Sequence, residues 1–367
     1  MGIFDAAEPA GRDFRDAVGR TLADFMATQR SALAGIGAEL DGLGDLARRF
    51  VDGGKRLRPA WCYWGYAAVA GQPGDPAAML RAAASLDLLH ASALVHDDLI
   101  DSSDTRRGVP SAHRQFAATH HQSGWSGSSE AFGRAGAILL GDLLLVWSAE
   151  LFATAGLAPD ALARATPLLN AVRTEVTAGQ YLDVFAQTQP VLDDTSWSHL
   201  LDEAHRVVEY KTARYTVQRP AQIGAALAGG SARLSSALTS YGSAIGRAFQ
   251  FRDDLLGVFG DSQVTGKPAG DDLREGKRTV LIAHACARAE RAAARRLVAL
   301  LGRPDLGLDE VDEARAIITA SGARAAVEAD ITRDYEAALG ALTDVEMHPD
   351  GLRALGSLAQ LAVAREA

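Results

Sequence analysis

The chain has 367 residues, 48% hydrophobic and 23% charged, with 37 basic against 46 acidic side chains and a formal net charge of −9. That length buries a large core without staples, that composition excludes a chiefly disordered chain, and the acidic balance makes a poor general binder of nucleic acid, which needs a basic face. Aromatics reach only 6%, so the core must be built from Ala, Leu and Val, a mixture that favours helices over strands.

The first residues, MGIFDAAEPAGRDF, lack the basic then apolar order of a secretory signal. Phe14, Val18, Leu22, Phe25 and Met26 then fall on one helical face. Met79–Asp101 carries Leu86, Leu89, Ala93 and Ile100 in the same way. Further apolar stripes predict helices over Ala131–Ala155, Pro159–Ala186, Trp197–Val217, Ser231–Phe259, Thr279–Leu301, Leu308–Ser321 and Ala323–Leu342. Breaks fall at GQPGDP (71–76) and GRPDLG (302–307). The Ser- and Gly-rich stretch His120–Gly136 reads as a long loop, and no alternating run predicts a strand. The nearest approach to an apolar span, Ala135–Val146, is interrupted by Gly141 and Asp142, so no membrane span is expected and the chain reads as cytoplasmic. Cys62 and Cys286 stand in no metal or redox spacing, which points to a reducing compartment. With no repeat and no shift of composition, residues 1–367 read as one all-α domain.

Five features rise above this background. In His96-Asp97-Asp98-Leu99-Ile100-Asp101, near the end of an apolar helix, helical spacing brings Asp97 and Asp98 each beside Asp101. Three carboxylates where the helix dipole is already negative call for a cation, and hard oxygen donors favour Mg²⁺. Phe249-Gln250-Phe251-Arg252-Asp253-Asp254 repeats the arrangement late in a second apolar helix, as if two helices faced each other across a metal-filled cavity. Gly53-Gly54-Lys55-Arg56-Leu57-Arg58-Pro59 reads as a tight turn bearing three cations, suited to holding an anion. Arg106-Arg107-Gly108 follows the first acidic cluster, and Thr265-Gly266-Lys267-Pro268 and Gly276-Lys277-Arg278-Thr279 follow the second. Neither Gly-Lys pair has the spacing of a nucleotide P-loop, and Pro268 stands where that motif needs Ser or Thr. His113, His120 and His121 cluster in sequence without a Cys or carboxylate to complete a zinc site. Carboxylate pairs, basic turns and apolar helices together describe a site for an amphiphile with diphosphate at one end and hydrocarbon at the other.

These residues resemble the trans-isoprenyl diphosphate synthase (polyprenyl synthetase) family. The similar segments are GGKRLRP (53–59), LLHASALVHDDLIDSSDTRRG (88–108), GD (141–142), GQYLD (179–183), YKTA (210–213), FQFRDD (249–254) and FGDSQVTGKPAGDDLREGKRT (259–279). The resemblance implies a helical bundle of the isoprenoid synthase type with a central apolar cavity, three Mg²⁺ ions per active site, and a homodimer. It implies that Asp97, Asp98 and Asp101, with Asp253 and Asp254, hold Mg²⁺. Arg106, Lys211, Lys267 and Lys277 would contact the allylic diphosphate. Gly54, Lys55, Arg58, His90 and Arg107 would hold isopentenyl diphosphate, and Thr212 and Gln250 would lie beside the cation path. The family's second acidic motif usually carries a third Asp where this chain has Gly257, and Asp261 is a candidate to compensate through water.

The residues one turn before the first acidic motif, Ser92 and Ala93, are small. In the family, bulky residues there go with fifteen-carbon products, so a product of at least twenty carbons is expected, geranylgeranyl diphosphate foremost. Leu89, one turn further back, and Trp147 are candidates for a later floor. Trp147, Tyr181 and Phe185 otherwise read as packing residues. Two other functions fit less well. A class I terpene cyclase would carry a different second metal motif and no second diphosphate site. A non-catalytic subunit of a heteromeric prenyl synthase would have lost an acidic motif.

Overall fold

The computed structural model describes residues 2–106, 108–189, 197–260, 270–303 and 305–364. Its contacts divide into two compact units, Met1–Pro167 with Pro220–Ser231 and Met347–Leu358, and Leu168–Arg219 with Ala232–Glu346 and Ala359–Ala367. Both are helical, as expected.

The first unit contains α1 (Arg12–Ala34), α2 (Asp41–Val51), α3 (Leu57–Ala70), α4 (Ala77–Ile100), α5 (Ala112–Gln122) and α6 (Ser129–Ala153). Helix α4 packs on α6, α3 and α1, and α5 lies on α6. Four aromatics cluster here: Phe4, Phe14, Tyr63 and Trp64 meet edge-on with centroids 5.3–5.5 Å apart, the geometry favoured by ring quadrupoles. The long loop expected over His120–Gly136 is mostly helix. Ser128 caps α6 by accepting from the Ala131 N–H at 3.2 Å, and Phe132 closes on Trp125 and His120 with centroids 5.4 and 5.2 Å away. A small hairpin that alternation could not show, β1 (Thr105–Arg106) with β2 (Val109–Pro110), pairs Arg106 with Val109 antiparallel.

Helices α4 and α6 are each long and apolar enough to cross a bilayer by length and composition alone. No unbroken apolar run marks them in the sequence, since Gly141 and Asp142 interrupt the stretch within α6. In α4, 72% of the apolar window is buried, so that helix spends its hydrophobicity on the core.

The second unit holds the later part of α7 (Pro159–Thr188), α8 (Trp197–Val207), a π-helical segment (Val208–Gln218), α10 (Ala232–Phe259), α11 (Asp271–Arg274), α12 (Val280–Arg288), α13 (Arg291–Leu300), α14 (Leu308–Ala320) and α15 (Ala323–Ala341). Helices α9 (Arg219–Leu227) and α16 (Pro349–Val363) complete the chain. Leu255, Val280, Leu281, Leu297, Val311 and Ile318 contribute to the apolar core of this unit. Forked Arg–carboxylate bonds fasten α10 to α15: Arg247 to Asp334 at 3.0 and 2.8 Å, and Arg252 to Glu328 at 2.7 and 2.8 Å. Two expected helices differ. Thr279–Leu301 breaks at Ala289–Glu290, both extended. Trp197–Val217 continues as a helix but widens to π geometry from Val208, a change of hydrogen-bond register to which apolar periodicity is blind.

Candidate active site

In the first unit, Gly53 and Gly54 have φ of +71° and +88°, so only glycine turns the chain here without strain. Lys55 is exposed and Arg58 half-buried in the first turn of α3. The turn bears three cations, as the sequence shows, but they do not act alike. Arg56, at φ +52°, turns inward. It donates to Asp87 Oδ2 and to the Val51 carbonyl, both at 2.8 Å. Arg56 is therefore an anchor for the turn, and its partner Asp87 was legible only as a lone charge in an apolar helix.

Helix α4 carries the rest of this half. Leu89 and Ser92 are each 3% exposed, Ala93 and His90 are half-buried, and Trp147 on α6 is buried. Ser148 donates to the Ser85 carbonyl at 2.7 Å, drawing α6 onto α4. The expectation that Tyr181 and Phe185 are packing residues is wrong: both are exposed, stacked on each other with centroids 6.4 Å apart. The Gly-Asp pair has a local reason. A Cβ at Gly141 would meet the His96 ring at 2.1 Å, and His96 Nε2 lies 3.2 Å from the Ile138 carbonyl.

At the end of α4, Asp97 and Asp101 are half-buried and Asp98 is 1% exposed. Arg106, delivered by β1, forks onto Asp98 with Nε at 2.7 and 2.8 Å and Nη2 at 2.5 Å, and reaches within 3.6 Å of Asp97. Sequence reading gave Arg106 to the diphosphate; here its partner is a carboxylate of the acidic motif itself. Arg107 and Lys267 lie outside the described residues, as does Asp261.

The second unit repeats the construction. Asp253 is half-buried, while Asp254 is 3% exposed. Thr212 Oγ1 donates to Gln250 Oε1 at 2.6 Å, and Gln250 Nε2 donates to Asp254 Oδ1 at 2.7 Å. Asp254 Oδ2 is buried without a hydrogen-bond partner among the described residues. Burial pushes its carboxyl up to about 8; the Gln250 bond works against this, and the charges of Asp272 and Asp253 add to it. Lys211 Nζ, carried on the π-helical segment, binds Asp183 Oδ2 at 2.6 Å. Lys277 Nζ meets Glu275 at 2.5 Å and lies 3.8 Å from Asp272 Oδ1. Asp183 and Asp272 lie within the GQYLD and 259–279 segments and carry no expected role; their signal is a carboxylate within reach of an expected cation.

Among the described residues no set of three His, Cys, Asp or Glu side chains is gathered as a ready metal cage. The donors present nevertheless suit Mg²⁺. They are hard oxygens, one of them a buried Oδ2 with no partner among the described residues, and Mg²⁺ commonly completes its octahedron with water and substrate phosphate.

The comparisons with known proteins agree with this chemistry. The family model for polyprenyl synthetase matches residues 42–318. A geranylgeranyl diphosphate synthase from Mycobacterium tuberculosis is 33% identical over 316 residues, 85% of this chain and 80% of that one. A geranylfarnesyl diphosphate synthase from Aeropyrum pernix is 32% identical over 305 residues, 82% of this chain and 84% of its own. A crystal structure of geranylgeranyl pyrophosphate synthase from Corynebacterium glutamicum, complexed with isoprenyl diphosphate and magnesium, superposes with a TM-score of 0.89 at 41% identity, covering 96% of this chain and 99% of that one.

Proposed function

Because the chain belongs to the polyprenyl synthetase family, we propose that it joins isopentenyl diphosphate to an allylic diphosphate in trans, head to tail. The product we assign is a polyprenyl diphosphate of at least twenty carbons, geranylgeranyl diphosphate. The observation that carries this reading is the doubled construction of the acidic helix ends. In each, the first Asp is half-buried, and the second is buried and held by a hydrogen bond, Asp98 by Arg106 and Asp254 by Gln250.

The allylic C–O bond breaks, the isopentenyl double bond attacks the allylic carbon, and a proton leaves to the released diphosphate. Magnesium, three ions in the full complement, supplies when bound the charge neutralisation that lets diphosphate depart. Asp97, Asp98 and Asp101, with Asp253 and Asp254, would hold it, Arg106 fixing Asp98 and Gln250 fixing Asp254. Lys211, Lys277, Lys267 and Arg106 grip the departing diphosphate. Gly54, Lys55, Arg58, His90 and Arg107 orient isopentenyl diphosphate, with Arg56 fixing their turn. Thr212 and Gln250 place oxygen dipoles along the cation path. Small Ser92 and Ala93 leave room for the growing chain, with Leu89 and Trp147 as its later floor. We assign both units to one catalytic domain. We also assign the protein to homodimers, for which the exposed Ile138, Leu139 and Val146 of α6 provide an apolar stripe.

The test is incubation of the purified protein with Mg²⁺, isopentenyl diphosphate and each of dimethylallyl, geranyl and farnesyl diphosphate, with products separated by length. A prenyl diphosphate of twenty or more carbons is expected. Cyclic hydrocarbon from an allylic diphosphate alone, or no diphosphate release with any primer, overturns the reading.

A further inference from the structure

The π-helical segment Val208–Gln218 carries Lys211 and Thr212. Turns of this pitch are rare and concentrate at functional sites. Here the pitch is matched by a pattern of charge. Glu209, Arg214 and Arg219 follow one another at intervals of five residues. In an α-helix, residues five apart point about 140° away from each other. Hydrogen bonding from i to i+5 brings them round to one side.

The three side chains are joined accordingly. Arg214 Nε donates to Glu209 Oε1 at 2.9 Å, and Arg214 Nη1 donates to Glu175 Oε1 at 2.9 Å. Arg219 forks onto the same Glu175, Nε to Oε2 at 2.8 Å and Nη2 to Oε1 at 2.5 Å. Glu175 stands on α7, outside the segment, with its side chain 14% exposed. Such forked, partly shielded bonds are stronger than ordinary surface pairs. At the other end Glu209 Oε2 accepts from Ser243 Oγ of α10 at 2.5 Å, and Ser243 accepts from Arg247 Nη1 at 2.9 Å. The backbone is gripped as well. A Cβ at Gly179 of α7 would lie 2.4 Å from the Lys211 nitrogen, and one at Gly246 of α10 would lie 2.2 Å from the Ala213 Cα. The segment therefore runs between two helices at a separation that glycine permits, with its charges tied to both. Slipping one residue out of the wide turn would rotate the chain beyond it by about 100°. That rotation parts Arg214 from Glu209. It cannot keep both the Lys211 bond to Asp183 and the Thr212 bond to Gln250, each now 2.6 Å long.

We propose that Glu175 is a positioning residue for prenyl transfer: by gripping Arg214 and Arg219 it locks the wide register of Val208–Gln218 and so sets where Lys211 and Thr212 stand. Its effect on rate rests on the prenyl-transfer reading; its effect on register does not.

Backbone hydrogen exchange of the full-length protein, read by mass spectrometry, reports the register, and single-turnover prenyl transfer at saturating substrate reports the chemistry. Glu175→Gln removes the charge at nearly constant shape. Amides of Val208–Gln218 are expected to exchange about tenfold faster, with α8 and α10 changed by less than about twofold. The single-turnover rate is expected to fall about tenfold or more, because small misplacements of reacting groups are costly. KM for isopentenyl diphosphate should stay within about twofold, since neither Lys211 nor Thr212 is assigned to that substrate. Glu175→Asp keeps the charge and should recover the rate to within about threefold of the unaltered protein. Segment exchange in Glu175→Gln that stays within about twofold of the unaltered protein overturns the proposal. So does faster exchange spread evenly over the unit, which marks a stabilising contact without a positioning role. A normal rate beside a loosened segment, or Glu175→Asp as slow as Glu175→Gln, overturns it too. If Glu175→Gln does not fold, Arg214→Lys, which keeps the charge and gives up the fork, decides on the same readouts. If the unaltered protein transfers no prenyl group, the functional reading fails, and hydrogen exchange still decides whether Glu175 holds the register.

Discussion

Asp87→Ala is the sharpest test of how the Gly53–Gly54 turn is held. The Arg56 and Asp87 side chains are 7% and 8% exposed, with Nη1 2.8 Å from the carboxylate. Removing the carboxylate leaves a buried guanidinium facing an apolar helix, with the Val51 carbonyl still accepting from Nη2. Breaking a buried pair this way costs about 3–5 kcal/mol. Arg56 also sits at φ +52°, a strained conformation worth roughly 1–3 kcal/mol that persists only while its surroundings enforce it. The loss therefore exceeds what holds the turn, and the turn should relax. Urea unfolding followed by the fluorescence of Trp61 and Trp64, both buried on α3, measures the stability. KM for isopentenyl diphosphate should rise with little change in kcat, since a positioning contact is lost rather than one made only in the transition state. Replacing both partners, Arg56→Met with Asp87→Leu, should restore stability to within about 1 kcal/mol because no uncompensated charge remains. An Asp87→Ala protein within 1 kcal/mol of the original, with unchanged KM, refutes the reasoning.

Ser92→Phe places a ring where a side chain only 3% exposed now sits and should shorten the product; an unchanged product length means the chain does not grow past that position. Gly246→Ala puts a methyl group 2.2 Å from the Ala213 Cα of the π-helical segment, and overpacking against backbone should destabilise by about 1–3 kcal/mol and lower kcat through displaced Lys211 and Thr212; normal stability and activity would count against a tight contact. Glu175 is partly buried, which raises its pKa, but hydrogen bonds from Arg219 and Arg214 prevail and hold it below the usual carboxylate range. Its contribution to stability is thus complete above the unfolded-state pKa and lost as pH falls through the lower folded value. Glu175→Gln should flatten the acid limb of a melting-temperature profile, and an unaltered limb would show that the Arg pair does not act through this charge. Lys211→Ala should cut kcat strongly while the protein stays folded, read by single-turnover assay; full activity would remove Lys211 from the reaction.

The chemistry was more legible than the architecture that serves it. Asp97, Asp98, Asp253 and Asp254 stand out because carboxylates at the end of apolar helices oppose both burial and helix dipole. What spacing could not give was which member of each pair is buried, since that depends on Arg106 and Gln250 arriving from other positions. The sequence patterns do not mark helices α2, α3, α5, α9, α11 and α16. In α3 the apolar residues surround the helix, with Trp61, Cys62, Tyr63 and Trp64 all buried, so no single stripe marks it. In α5 the reverse holds, with Ala112 and His120 its only buried residues.

The Arg106 fork on Asp98 and the Lys211 bond to Asp183 share a consequence for how the ligands load. Both cations, which we assign to the diphosphate, already have an anion of their own, so under that assignment loading would be an exchange of counterions in which the field of the protein changes little. A cation deleted from such an arrangement would not merely subtract grip. It would expose a carboxylate that competes for divalent metal, so the mutant should hoard metal while losing its appetite for the phosphorylated substrate.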